Sequence, residues 1–264
     1  MQTIFGSHSA IAPYRLLRPA RIEEAAAAMA GGAACLAGGV DLVPALRAGR
    51  RVERIVHLGG IAALKAIERR GDVLRIGAGV TYARLAADPA IAAALPDLAA
   101  VWRGVANVRV RHAATVGGNL MAGNPNYDML PALLVLDAKL VFVLSNGGHE
   151  SVRGDAKAWP QGLLACIDVP LAPARRFAFE RGFKPAISLA VAVEGQRARI
   201  AIGCAYERAF FHAMALDGSA PEVLADAVAR ELPEPLTDWI ASGTYRRRLA
   251  RVLLARRLRA LTGG

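Results

Sequence analysis

Apolar and polar positions alternate along this chain in blocks whose period changes several times, and each change marks an element. Residues 21 to 30 carry a helical pattern with Glu23 and Glu24 in the first turn, where the helix dipole favours acids, and Gly31-Gly32 ends it. Ala34 to Ala37 predicts a short buried strand, Leu42 to Ala48 a second helix and Arg51 to Leu58 another strand, so residues 1 to 55 read as a β-α-β unit. Asp72 to Ile76 alternates as a strand, and Tyr82 to Arg103 is rich in helix with breaks at Pro89 and Pro96. Val108 to Leu120 reads as irregular around Gly117-Gly118, and Asp128 to Leu136 as a helix. Lys139 to Leu144 and His149 to Arg153 flank Asn146-Gly147, a hairpin signal because that turn needs positive φ.

Between 154 and 175 the pattern gives way to Pro, Gly and short polar residues, which suggests a linker and a domain boundary near Leu171. Beyond it, Phe177 to Arg181, Ser188 to Val193 and Ala198 to Cys204 read as strands, followed by helices at 221 to 230 and 244 to 260. The expected organisation is α+β: a domain over 1–170, with subdomains of about 1–55 and 56–170, and a small C-terminal domain over 171–264.

Composition narrows the function classes. The chain has 264 residues and 54% hydrophobic positions, enough for sizeable cores. Its longest apolar stretches, Leu130 to Leu144 and Ile187 to Val193, are broken by Asp137 and Lys139 or too short to cross a bilayer. The first twelve residues lack the layout of a secretory signal, so the cytoplasm is the expected location. Three cysteines without a C-x-x-C pair, and five histidines without H-x-x-x-H, argue against a disulfide framework or a metal site of the chain's own.

The net charge of +11 invites a nucleic-acid reading, but its distribution removes most of that appeal. Seven arginines and no acid lie between Tyr245 and Arg259, interleaved with Leu249, Val252, Leu253 and Leu258 at near-helical spacing. This predicts an amphipathic helix docked on the fold with its arginines in solvent. An acidic partner subunit is the next reading, ahead of an anionic membrane surface or nucleic acid, for which interleaved aromatics are missing.

Two glycine pairs carry the candidate chemistry. Cys35, Leu36, Ala37, Gly38, Gly39, Val40, Asp41 and Leu42 place one pair between a buried strand and a helix. Such a turn aims successive backbone N–H groups into one concavity and lets a ligand approach without side-chain obstruction. Thr115, Val116, Gly117, Gly118 and Asn119 repeat the pair and add a hydroxyl and an amide. Together the loops could clamp the two phosphates of a dinucleotide, although neither G-K-[ST] nor G-x-G-x-x-G is present. Asp128 is either an acceptor for ribose or ring N–H donors or a helix N-cap.

The series A-G-G-V-D-L, V-R-V-R-H-A-A-T-V-G-G-N-L, D-M-L-P-A-L-L-V-L-D-A and Y-R-R-R-L-A resembles the FAD-binding medium subunit of the molybdenum hydroxylases, the carbon monoxide dehydrogenase and xanthine dehydrogenase type. The similarity runs over nearly the whole chain. It implies a PCMH-type FAD-binding domain of two α/β subdomains, then a small domain with a three-stranded sheet and helices. It further implies that both loops, from Cys35 to Leu42 and from Thr115 to Asn119, touch the FAD pyrophosphate. Asp128 corresponds to the family's acidic residue, Leu164 to a position packing near the flavin, and Glu180 to a Lys or Glu position near it.

By this resemblance FAD takes electrons from the [2Fe-2S] clusters of a small subunit, fed by a molybdenum-cofactor large subunit, and passes them to NAD, oxygen or a quinone-linked acceptor. No residue is expected to be catalytic in its own right. The chain departs from the family at Val40, where Thr or Ser is usual, and between Val152 and Leu164, which is short and lacks the F-F-x-G-P-G stretch. The alternatives are a free-standing FAD oxidoreductase using His57 or His112 as base, and a basic scaffold with vestigial loops.

Overall fold

A computed structural model describes residues 10–127, 129–182 and 186–263. Their strands form three sheets. In the first, β1 (Arg15–Leu17), β2 (Ala34–Leu36) and β3 (Arg54–His57) pair in parallel in the order β1-β3-β2. Parallel neighbours need crossovers, supplied here by α1 (Ile22–Ala30) and α2 (Leu42–Arg47). α1 stops where the sequence predicts: Gly32 takes φ +87°, Gly32 N donates to Met29 O and Ala33 N to Ala28 O, which satisfies carbonyls of the last turn. Its buried Ala25 and Ala26 join Val143, Leu163 and Ala165 of the second sheet, so one small-residue face ties the two subdomains together.

The second sheet comprises β4 (Ile67–Arg70), β5 (Val73–Gly77), β6 (Lys139–Leu144), β7 (His149–Arg153) and β8 (Gly162–Pro170), antiparallel throughout in the order β4-β5-β8-β6-β7. Between β5 and β6 the chain inserts α3 (Tyr82–Ala87), α4 (Pro89–Ala94), α5 (Pro96–Gly104), α6 (Val108–Ala113), α7 (Val116–Met121) and α8 (Met129–Val135). Pro89 and Pro96 break the helical run by opening α4 and α5, where the missing N–H costs nothing. Asn146-Gly147 turns β6 into β7 with Gly147 at φ +80°.

The third sheet, β12-β11-β10-β9, is antiparallel and joins β9 (Arg176–Arg181), β10 (Ser188–Glu194), β11 (Arg197–Gly203) and β12 (Phe210–Ala215). Period-two alternation gives it two different faces. Leu189, Val191, Val193, Ile200 and Ile202 pack on α9 (Pro221–Glu231) and α10 (Gly243–Thr262). Ala190, Ala192 and Ala201 enter the main core with Leu133 and Val135 of α8. α8 is buried nearly all round, as expected of a helix between two sheets. None of the helices is long and apolar enough to cross a membrane, among the described residues.

Three expectations change. The C-terminal sheet has four strands rather than three, because Phe210–Ala215 alternates only weakly and its side chains are mostly half-buried. The stretch suggested as linker contains β8, the central strand of the second sheet; its apolar run Leu163 to Ile167 is what fills that place. The segment read as irregular forms α6 and α7, two short helices each capped by a side chain, Asn107 onto Val110 N and Thr115 onto Gly118 N.

Candidate functional site

The two glycine loops meet, and Gly38 is the reason they can. A Cβ there would overlap the Ala113 carbonyl, standing 2.6 Å from its carbon and 3.2 Å from Ala114 Cα. Gly117 is equally constrained, since a Cβ would lie 2.7 Å from Ala78 Cβ and 2.8 Å from Ala78 O. A glycine pair is expected to leave space for a ligand, but at Gly38 and Gly117 the missing atom makes room for neighbouring protein. Gly39 is a glycine for another reason, its φ of +73°.

The loops differ in their donors. In the second loop Val116 N bonds Val80 O, Gly117 N bonds Ala78 O, Gly118 N bonds Thr115 Oγ1 and Asn119 N bonds Thr115 O, all between 2.8 and 3.1 Å. In the first loop the N–H groups of Gly38, Gly39, Val40 and Asp41 donate to no acceptor among the described residues. The first loop therefore offers a row of backbone donors, and the second is the rigid shelf against which it rests. Val40 contributes no hydroxyl to that row.

A side-chain bond closes the junction: Tyr127 Oη donates to Asp41 Oδ1 at 2.5 Å. Burial, and then this bond, push the Tyr127 phenol up to about 12. Sequence reasoning missed Tyr127; its signal was an aromatic just beyond the second loop, next to Asp128, which itself lies outside the described residues.

Beside the junction lies a cleft of about 310 Å³. One wall is Asn119, Met121, Tyr127 and Trp159; the other is the turn after β11, with Gly203, Cys204, Tyr206 and Arg208. Trp159 comes from the short segment that lacks the family's aromatic stretch. It donates from Nε1 to Gly154 O at 3.2 Å, tilts against Phe142 and carries the Arg208 guanidinium 5.7 Å over its ring. The opposite turn is fixed from below. Cys204 adopts φ +61°, and its carbonyl accepts from Arg246 Nη1, a side chain with 0% exposure whose Nη2 donates to Asp238 Oδ1 at 2.7 Å.

Other expected site residues fall at varied distances from this cleft. Leu164, 3% exposed, pairs with Phe142 across β8 and β6 and lies in the core cluster that holds Val116 and Leu120 of α7, behind the second loop. Glu180 does not line the cleft; its carboxylate is held by Arg256 and by Arg257, whose Nε lies 2.6 Å away. His57 ends β3 and His112 is exposed on α6, and neither lines the cleft.

The expected solvent face of α10 is mostly used by the fold. Arg247 donates to Ala229 O, Leu232 O and Pro233 O at the end of α9, Arg251 bonds Asp226, and Arg259 bonds Glu222. With Arg246, Arg256 and Arg257 already placed, only Arg248 of the seven has no such contact among the described residues.

Residues 12–155 match the family described as "FAD binding domain in molybdopterin dehydrogenase". Nicotine 6-hydroxylase medium subunit of Paenarthrobacter nicotinovorans is 32% identical over 145 residues, 53% of this chain and 50% of that one. The xanthine dehydrogenase FAD-binding subunit of Escherichia coli O157:H7 is 35% identical over 124 residues, 43% and 42% of the two chains. These matches span about half the length of the curated relatives or less.

The fold is similar over far more of the chain. A chain of carbon monoxide dehydrogenase from Hydrogenophaga pseudoflava superposes with TM-score 0.84 at 24% identity, and one of quinoline 2-oxidoreductase from Pseudomonas putida 86 with 0.80 at 25%. Each covers 94% of this chain and 96% of its counterpart. With more than half of its residues inside the family match and nearly all of them inside the fold match, the chain belongs to the family of FAD-binding domains of molybdopterin dehydrogenases.

Proposed function

We propose that this chain is the FAD-binding electron-transfer subunit of a molybdenum hydroxylase complex. The observation that carries the reading is the row of N–H groups from Gly38 to Asp41 without acceptors among the described residues, seated on the second glycine loop and joined through Asp41 to Tyr127, which lines the cleft. Those donors suit a pyrophosphate, and the cleft, with Trp159 and Tyr206 in its walls, suits a flat apolar ring system. Bound FAD would supply the redox chemistry. The chain's own residues would bind and orient it: Gly38 to Asp41 would hold the phosphates, Tyr127 fixes the first loop through Asp41, and the turn from Gly203 to Arg208 would flank the ring.

In the same reading the electrons come from the [2Fe-2S] clusters of a small subunit, reduced by a molybdenum-cofactor large subunit, and leave to NAD, oxygen or a quinone-linked acceptor. No cluster of His, Cys, Asp and Glu suited to a metal occurs among the described residues. The division of the chain at Leu171, a cytoplasmic location and contact of Asp128 with the ligand belong to this proposal, whereas Leu164 in the core and Glu180 bonded to Arg256 and Arg257 lie away from the cleft.

The test uses the purified chain loaded with FAD. Dithionite is expected to bleach the flavin, while heterocycles and aldehydes leave it oxidised until cluster and molybdenum subunits are added. Turnover of such a substrate by the single chain at about 1 per second or faster would replace this reading with a free-standing oxidoreductase.

A further inference from the structure

The strap between α9 and α10 is bonded into the fold along its length. Leu236 N donates to Ala205 O and Gly243 N to Thr237 Oγ1, each at 2.8 Å, and Asp238 Oδ1 accepts from Ile240 N, Ala241 N and the buried Arg246. At the tip of this rigid turn Trp239 is 86% exposed. An indole held in water by an ordered backbone contributes nothing to this chain's own core.

On the adjoining helix Tyr245, Arg248 and Val252, at i, i+3 and i+7, form one exposed stripe. Arg248 is also the one arginine of the helix left without an acid or carbonyl among the described residues.

We propose that the Trp239 turn and the Tyr245–Arg248–Val252 stripe dock an acidic face of a different subunit, within the complex proposed above and resting on that reading. Trp, Tyr and Arg are the residue types that anchor interfaces, and a turn already ordered lowers the cost of binding. An acid on the partner completes Arg248, and the net charge of +11 sets the sign of the attraction. A second copy of this chain fits poorly, because a two-fold contact would bring Arg248 and the same excess charge against themselves.

The experiment is affinity purification of the tagged full chain from its native host, comparing wild type with Trp239→Ser, Arg248→Glu and the control Tyr14→Ser, an exposed aromatic in the first subdomain. FAD, iron and molybdenum are measured per chain. Expected is unchanged FAD in all, with partner affinity lowered about thirty-fold for Trp239→Ser, the loss typical of a central anchor, and iron and molybdenum falling accordingly. Wild-type metal content in both variants overturns this docking site alone. A wild-type chain that carries FAD but neither metal overturns the subunit reading and this site with it. Concentration-dependent dimers lost in Trp239→Ser would assign the surface to a second copy and likewise overturn the proposal.

Discussion

Single atoms decide the geometry of the glycine junction, and the first predictions belong there. Gly38→Ala must push the first loop off the Ala113 carbonyl. Overpacking of this kind costs about 1–3 kcal/mol, or about 2–4 °C of Tm per kcal/mol in domains of this size. The variant is expected to lose both FAD and thermal stability, and a normal Tm with FAD alone lost would show that the loop contact is dispensable. Val40→Thr restores a hydroxyl beside the free donors and should tighten FAD by about ten-fold, as one hydrogen bond to a charged group would; equal affinity in a titration rejects that placement.

Tyr127 adds a dependence on pH. Its folded phenol titrates at about 12 against about 10 in model peptides, so the stability it contributes is complete below pH about 10 and is lost as pH rises through about 12. Tyr127→Phe should therefore be less stable at neutral pH but decline less steeply over that alkaline window, as read from denaturant midpoints. A slope unchanged from wild type would mean that Tyr127 is not the group responsible.

At the scale of elements, the C-terminal helix separates arginines that look alike in sequence. Arg246 is sealed in the fold between Cys204 O and Asp238, whereas Arg259 and Glu222 are both about half exposed. Asp238 is about a third exposed, so losing Arg246 strands no buried charge, but it removes charge-assisted hydrogen bonds worth about 1.5–3 kcal/mol each, against less than about 1 kcal/mol for an exposed pair. Arg246→Ala should lower the denaturation midpoint strongly and Arg259→Ala hardly at all; similar losses would contradict the burial of Arg246.

Elements with a local cause were readable in advance: α1 from its acids and Gly31-Gly32, α4 and α5 from their prolines, and the hairpin from Asn146-Gly147. The central strand β8 was obscured because Pro160, Gly162 and Pro170 at its margins look like loop chemistry, and its burial comes from β5 and β6 on either side. β12 owes its place to pairing with β11, which no local pattern reports. The glycine pairs were visible as motifs, but not which loop keeps its donors free, because the partners Ala78 and Val80 lie far away in sequence.

At the scale of the whole molecule, α1 joins the first sheet to the second and α8 packs in the core shared by the second and third. If FAD binds only the folded chain, ligand at 100 times its Kd adds about 2.7 kcal/mol of stability, so Tm should rise with FAD concentration; a Tm independent of FAD would deny that the site belongs to the folded state. α8 also limits which parts can be exchanged between relatives. The C-terminal sheet presents Ala190, Ala192 and Ala201 to this core, and a Cβ on Gly203 would stand 2.6 Å from Pro131 Cγ of α8 and 2.6 Å from Ser188 Oγ. A chimera that grafts another family member's C-terminal half onto this chain will therefore assemble only if the graft keeps a glycine where Gly203 stands and small residues beside it, so that the two halves are inherited as a matched set.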